Sequence, residues 1–150
     1  MSMQFQKPEE KALVEMLDMM LGASTKATVS SSYDAASTNY TAIYANNDGD
    51  TVATCRLALP TAAALGCALS MIPPGAAESM VEDKELTQTA TENLYEVMNM
   101  FSSLLMNDKS SHLKLNCVSA ANDASIEGTA FEFTIDMGKY GSGQILFNVA

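Results

Sequence analysis

The chain has 150 residues, of which 47% are hydrophobic and 17% are charged, a composition typical of a globular protein rather than a disordered one. Its formal net charge of −10 comes from 18 acidic and 8 basic residues, which argues against binding to nucleic acid or to an anionic membrane. The length predicts a single domain over residues 1–150, and since neither a signal peptide nor a membrane-length segment is recognisable, we expect it in the cytoplasm.

The first half of the sequence predicts two helices and three strands. Pro8, followed by two glutamates, is typical of a helix start, and Gly22 of a helix end. A glycine-containing turn at residues 46–50 lies between two strand-like segments, as in a β-hairpin. In chain order the predicted elements are a helix over residues 8–21, a strand over 26–29, hairpin strands over 40–45 and 51–59, and a helix over 60–71. The Pro-Pro-Gly sequence at residues 73–75 is predicted to terminate this second helix.

A long amphipathic helix is predicted over residues 83–107, with Asp83 as its N-cap. Its apolar residues recur at steps of three and four, namely Leu86, Ala90, Leu94, Val97, Phe101, Leu104 and Leu105. On the opposite side, within roughly 60° of one another on a helical wheel, lie Glu92, Glu96, Asn99 and Ser103. The helix is therefore expected to present two carboxylates and a carboxamide to solvent.

Three further strands are predicted over residues 112–118, 129–137 and 144–149. Phe131, Phe133 and Ile135 alternate with polar residues, which predicts a strand with one buried face and one solvent-exposed face. The order of the elements predicts an α+β fold in which long helices pack on one face of an antiparallel-rich sheet. Because the last strand carries neither charge nor proline to protect an edge, we expect it to be available for edge pairing in a homodimer.

The two halves of the sequence echo one another. Residues 11–18 align without a gap on residues 92–99, so that Glu15 corresponds to Glu96 and Asp18 to Asn99. This similarity suggests two related helices lying side by side across a pseudo-two-fold axis, and chance similarity between amphipathic helices is the alternative.

The pattern Glu96-x-x-Asn99, preceded by Glu92 on a long helix, resembles the motif of the CheC/CheX/FliY phosphatases of bacterial chemotaxis. The hairpin, followed at residues 57–61 by the entry into an alanine-rich helix, matches the same family. The resemblance covers residues 40–149 and is greatest to CheX. It implies a CheX-like fold and a chain that acts on a protein partner.

The resemblance implies a phosphatase that hydrolyses the aspartyl phosphate of a CheY-like response regulator. Asn99 would position the attacking water, Glu96 would pair with the regulator's phosphate-site lysine, and Glu92 and Ser103 would contact the partner. The regulator would supply Mg²⁺, and the chain would need no cofactor of its own. CheX-like proteins dimerise, so a homodimer is expected. Asp18 stands where a second site would need asparagine, so no second site is expected on the first helix.

Two family features are absent, a glycine shortly after the asparagine and a proline at the start of the next strand. Their absence favours an alternative, a non-catalytic CheX-like module that binds a receiver domain or oligomerises without turnover. A small-molecule enzyme on an unrelated α+β fold is a third possibility, supported only by the acid content. Exposed Glu and Asn on a helix also occur simply as solvated surface. The three cysteines are widely spaced and have no C-x-x-C pattern, which argues against structural zinc or a disulfide framework.

Overall fold

A computed structural model describes residues 9–21, 26–29, 40–106, 113–119 and 128–149. The elements in chain order are α1 (Glu10–Leu21), β1 (Lys26–Val29), β2 (Tyr40–Ala45), β3 (Thr51–Leu57), α2 (Leu59–Ala68), α3 (Pro74–Asp83), α4 (Gln88–Phe101), β4 (Lys114–Ser119), β5 (Thr129–Asp136) and β6 (Ser142–Val149). Short 3₁₀ segments follow α4 (Ser102–Leu104) and β5 (Gly138–Tyr140). The predicted ends at Pro8, Gly22, Asn107 and His112 lie outside the described residues. None of the described helices has the length and apolar character that crossing a membrane requires.

The predicted hairpin forms between β2 and β3 because the side chain of Asn46 organises its turn. The Asn46 Oδ1 accepts hydrogen bonds from the backbone N–H groups of Asp48 and Asp50, each at 3.0 Å. Gly49 adopts a φ of 84°, which only glycine enters without a steric penalty. The turn chemistry visible in the sequence therefore determines where the two strands pair.

The described strands form one sheet in the order β1-β5-β6-β3-β2-β4, with every neighbouring pair antiparallel. The expectation that β6 offers a free edge is wrong, because β6 is hydrogen-bonded on both sides, to β5 and to β3. Its uncharged sequence is that of a central strand, which needs no protection against edge pairing. The edges of the described sheet are β1 and β4.

The sheet has the two-fold pattern that the half-chain echo suggests. Exchanging β1 with β4, β2 with β5 and β3 with β6 leaves the strand order unchanged when it is read from the other edge. α1 precedes β1 as α4 precedes β4. Burial follows the same correspondence, with Leu13 and Leu17 in the core of one half and Leu94 and Met98 in that of the other. The two related helices α1 and α4 do not pack side by side as the echo suggests, since the main helical neighbour of α4 is α2.

The helices pack on one face of the sheet around a single apolar core. Phe147 on β6 is at its centre, in edge-to-face contact with Phe101 of α4 at 5.9 Å and with Phe133 of β5 at 6.1 Å between ring centroids. Leu13 and Leu17 of α1 are fully buried in the same cluster. The α+β class and the arrangement of the helices on one face are confirmed.

The helix predicted over residues 83–107 is in fact two helices. Asp83 is the last residue of α3, and α4 begins only at Gln88, where the Thr87 hydroxyl accepts a hydrogen bond from the Ala90 N–H at 3.2 Å. Residues 73–75 are predicted to end the preceding helix, but Pro74 also begins a new one, because it lies in the first turn of α3, where a missing N–H costs nothing. At the other end the α-helix stops at Phe101 and continues as the 3₁₀ segment.

Met71 adopts a strained backbone conformation at the end of α2. Its φ is 59°, and its N–H bonds the Ala68 carbonyl while that of Ile72 bonds the Cys67 carbonyl, the pairing of a glycine-type helix cap. Its side chain is 81% exposed and contributes little to the core. We expect Met71→Gly to raise the free energy of unfolding by about 0.5–1 kcal/mol, since relief of the strain exceeds the added chain entropy.

Urea unfolding measures this effect, and Met19→Gly is the matched control. Met19 is also exposed, at 74%, but it lies inside α1. There glycine should destabilise by about 1 kcal/mol. Equal effects of the two substitutions would show that the backbone at Met71 is not strained.

Tyr44 and Cys55 make the stability of the fold sensitive to high pH. Both are completely buried, which raises the pKa of each, and the neighbouring Cys55 raises that of Tyr44 further. The folded state holds both protons more tightly than the unfolded state, so stability is complete below the ordinary thiol pKa of about 8.5 and falls above it. We expect a loss of about 1.4 kcal/mol per pH unit from Cys55, and the same again from Tyr44 above about pH 10.

Urea unfolding between about pH 7 and pH 11 tests this expectation. Cys55→Ala should reduce the loss that begins near the thiol pKa to the part due to Cys67, whose pKa burial also raises, and leave the loss due to Tyr44. Cys117→Ala, which removes an exposed thiol, is the matched control. Parallel losses in wild type and Cys55→Ala would contradict the assignment.

Candidate functional site

The outer surface of α4 carries the polar residues that the sequence places there. Glu92, Glu96 and Asn99 are exposed, as is Ser103 in the 3₁₀ segment that follows. On the opposite side of the helix Leu94, Val97 and Phe101 are buried at 1% or less. The helical wheel is thus confirmed, and we call the row Glu92, Glu96, Asn99 and Ser103 the α4 ridge.

The central pair of the ridge is available for intermolecular contacts. Within the part of the chain that the structure describes, neither the Glu96 carboxylate nor the Asn99 carboxamide has a hydrogen bond or an ion pair. The backbone carbonyl of Asn99 accepts from the Ser102 hydroxyl at 2.6 Å, which ties down the end of the helix and leaves the amide free. The two residues are three apart on one helix, so their side chains are neighbours on the same face.

The outer two members of the ridge are engaged locally. The Glu92 Oε1 accepts a hydrogen bond from the Gln88 side-chain amide at 3.2 Å, one turn earlier. The Ser103 hydroxyl donates to the Met100 carbonyl at 2.9 Å and is therefore turned back to the helix. The structure brings Glu96 and Asn99 together and places Ser103 beyond the end of α4.

Two side chains hold α4 in place through three long-range hydrogen bonds. The Asn93 side-chain amide donates to the Gly66 carbonyl and to the Ser70 hydroxyl, both at 2.8 Å, and so joins α4 to α2. From the sheet, the Tyr44 hydroxyl donates to the Met98 carbonyl at 2.6 Å. All three bonds join α4 within two turns of Glu96, so they fix the direction in which its side chain and that of Asn99 project.

Sequence reasoning missed these supporting residues. Asn93 is part of the aligned motif, but a helical wheel cannot show which neighbouring helix it faces. Gly66, within an alanine-rich helix, was a signal of this helix packing in the sequence, because a helical glycine often marks a close approach of another backbone. A Cβ atom at Gly66 would lie 2.6 Å from the Ala90 carbonyl oxygen, which shows how tightly α2 and α4 pack.

The chemistry of the ridge is that of positioning. A carboxamide accepts a hydrogen bond through its oxygen and donates two through its nitrogen, and a carboxylate one turn away pairs with a cation. Among the described residues no three His, Cys, Asp or Glu side chains are grouped to hold a metal ion. The ridge is suited to orienting a water or a partner's polar group rather than to forming a covalent intermediate.

Comparison with known proteins places the fold. No family model matches the sequence, and no curated protein is significantly similar to it. The structure of Thermotoga maritima FliY superposes with a TM-score of 0.65, covering 97% of this chain and 91% of FliY at 15% identity. The chain has the FliY fold.

Two further solved structures are similar to this chain. A FliM middle domain from H. pylori superposes with a TM-score of 0.53, covering 93% of this chain and 84% of that one at 8% identity. For CheX from Desulfovibrio desulfuricans the TM-score is 0.48, with 93% and 95% covered at 11% identity. The FliY fold spans nearly the whole chain, so the expected resemblance to the CheC/CheX/FliY group is confirmed for the fold.

Proposed function

We propose that this protein hydrolyses the aspartyl phosphate of a CheY-like receiver domain. The observation that carries the proposal is the pair Glu96 and Asn99 on α4 of the FliY fold, both exposed and without a side-chain partner among the described residues. Hydrogen bonds from Tyr44 and Asn93 hold this helix in place. Preorganised polar groups of this kind are effective because they need no rearrangement when the partner binds.

In the proposed mechanism Asn99 orients a water molecule in line with the scissile P–O bond. The water oxygen attacks phosphorus, the bond to the aspartyl oxygen breaks, and the products are the free aspartate and inorganic phosphate. The carboxamide accepts a hydrogen bond from the water and takes no proton, so the water's proton leaves with phosphate or solvent. Little covalent chemistry is required, because phosphoryl transfer depends mainly on positioning and on charge stabilisation. The receiver supplies the Mg²⁺ ion that this charge stabilisation requires.

Glu96 anchors the receiver in this proposal. Its carboxylate would form a charge-assisted contact with the lysine at the receiver's phosphorylation site and so set the docking angle. Glu92 and Ser103 extend the contact at either end of the α4 ridge. The net charge of −10 favours a partner surface with a local positive charge.

A non-catalytic binding module of the same fold is the second candidate. It is favoured by the similarity to a FliM middle domain and to a chain of the FliG–FliM complex from H. pylori, the latter with a TM-score of 0.51 over 93% of this chain. In this alternative the α4 ridge binds a receiver domain or another protein without turnover.

The loss of labelled phosphate from purified receivers decides between the two candidates. Each receiver encoded by the same organism is phosphorylated with acetyl phosphate, and its dephosphorylation rate is measured with and without this protein. Phosphatase function predicts acceleration of at least one receiver. If the protein binds a receiver but accelerates none, the binding module is the correct function.

We also propose that the protein forms a homodimer. Since β6 is central, edge pairing would have to use β1 or β4, the edges of the described sheet. Light scattering at a concentration on the order of 100 µM, far above a typical micromolar dissociation constant, should give twice the monomer mass of 16.0 kDa. A monomer mass at that concentration would contradict the proposal.

A further inference from the structure

A cavity of about 450 Å³ lies beside the α4 ridge, between the first half of α4 and the ends of β2 and β4. Its apolar lining includes Tyr40, Leu94 and Val118, and its acidic residues are Glu85 and Glu92. Tyr95, which is 42% exposed, also lines it. The cavity therefore combines an apolar and aromatic surface with two carboxylates.

The negative charge of this cavity is not balanced from within the described part of the chain. Neither carboxylate forms an ion pair there, and the hydrogen bond that Glu92 accepts comes from the neutral Gln88. The Glu85 charge acts on the cavity, because Tyr40 has a pKa raised first by burial and second by Glu85. A ligand that combines an apolar group with a positive charge would match both properties.

The cavity lies within reach of any protein bound at Asn99. Glu92 belongs to both the cavity and the ridge, and the seven residues from it to Asn99 span about 10 Å of helix. A standard interface buries about 800 Å² per partner, equivalent to a disc of about 16 Å radius. A partner centred on Asn99 would therefore cover the cavity as well.

We propose that this cavity is the docking pocket for a segment of the receiver domain in which an apolar or aromatic residue is adjacent to a lysine or arginine. The apolar side chain packs against Tyr95, Leu94 and Val118, and the cation pairs with Glu85 and Glu92. The inference rests on the proposed function for the identity of the partner. In this proposal the pocket determines which receiver domains bind, and Asn99 positions the water that hydrolyses the aspartyl phosphate.

Steady-state kinetics of dephosphorylation separate the two roles. Tyr95→Ala should raise KM about tenfold, as truncation of an aromatic interface anchor does. Glu85→Lys should raise KM about fivefold at low salt, and the difference from wild type should shrink as salt is added. Since the pocket does not touch the phosphoryl group, both changes should be confined to KM. The matched control is Glu82→Lys, the same charge reversal on an exposed residue of α3 outside the cavity.

An unchanged KM in both pocket variants, or a loss confined to kcat, would overturn the docking role while leaving the phosphatase function intact. If wild type accelerates no receiver, the phosphatase function fails, and the pocket is tested by titrating a fluorescently labelled receiver loaded with beryllofluoride. Weaker binding by Tyr95→Ala and Glu85→Lys would then support the docking role. Equal binding by the variants, or no binding by wild type, would overturn it.

Discussion

Asn99→Ala is expected to lower the receiver-dephosphorylation rate by at least about a hundredfold, the scale on which removal of one preorganised polar group reduces catalysis. In the proposed mechanism, loss of the carboxamide would leave the attacking water without a fixed position, while Glu96 would still anchor the receiver. The dissociation constant for a phosphorylated receiver should therefore stay nearly unchanged. Stability should change by less than about 0.5 kcal/mol, since Asn99 is exposed.

Two comparison variants make the Asn99 experiment decisive. Glu96→Ala should weaken receiver binding, because it would remove the proposed charge-assisted contact with the receiver's lysine. Asn116→Ala removes an exposed asparagine from β4 and should leave the rate as in wild type. If Asn99→Ala retains full acceleration, the assignment of the site is wrong even though the phosphatase function stands.

Gly66→Ala should destabilise the fold by about 2 kcal/mol, the effect of overpacking in a tightly packed interior. The new methyl group would lie 2.6 Å from the Ala90 carbonyl oxygen and 3.1 Å from its Cβ, so α2 and α4 must separate. Alanine's better helix propensity, about 1 kcal/mol, offsets only part of the cost. The Asn93 hydrogen bond to the Gly66 carbonyl would be strained by the same movement.

Thermal unfolding should show a decrease in Tm of about 4–8 °C for this change. Gly75→Ala is the matched control, since it lies in the first turn of α3 and a Cβ atom there meets nothing within 4 Å. It should be neutral or slightly stabilising. If both alanines have the same effect, the close approach of α2 and α4 does not limit stability.

Much of the fold could be predicted because its signals are local. The turn around Gly49, the alternation in β5 and the helical period of α4 each depend on residues close together in the chain. The boundaries of α4 could not be predicted in this way. Asp83 and Thr87 are both acceptable N-caps by type, and the choice follows from where the preceding helix α3 ends, at Asp83, with Lys84 as its C-cap at a φ of 57°.

The position of β6 shows the same limit for the sheet. An uncharged strand suits either a free edge or a central place, and only the pairing of distant segments distinguishes them. The half-chain echo carried information about that pairing, since the strand order is symmetric under exchange of the halves.

The sequence by itself determined which face of α4 is polar and that Glu96 and Asn99 share it, because helical geometry places residues three apart on one side. Only the tertiary structure decided how that face is held in place, through the hydrogen bonds from the Asn93 amide to the Gly66 carbonyl and from the Tyr44 hydroxyl to the Met98 carbonyl. It alone also placed the acidic cavity beside the ridge, from segments as far apart in the chain as Tyr40 and Val118. The physical reason is that periodicity is a property of neighbours, whereas contacts between elements depend on long-range packing, which leaves no regular pattern in one sequence.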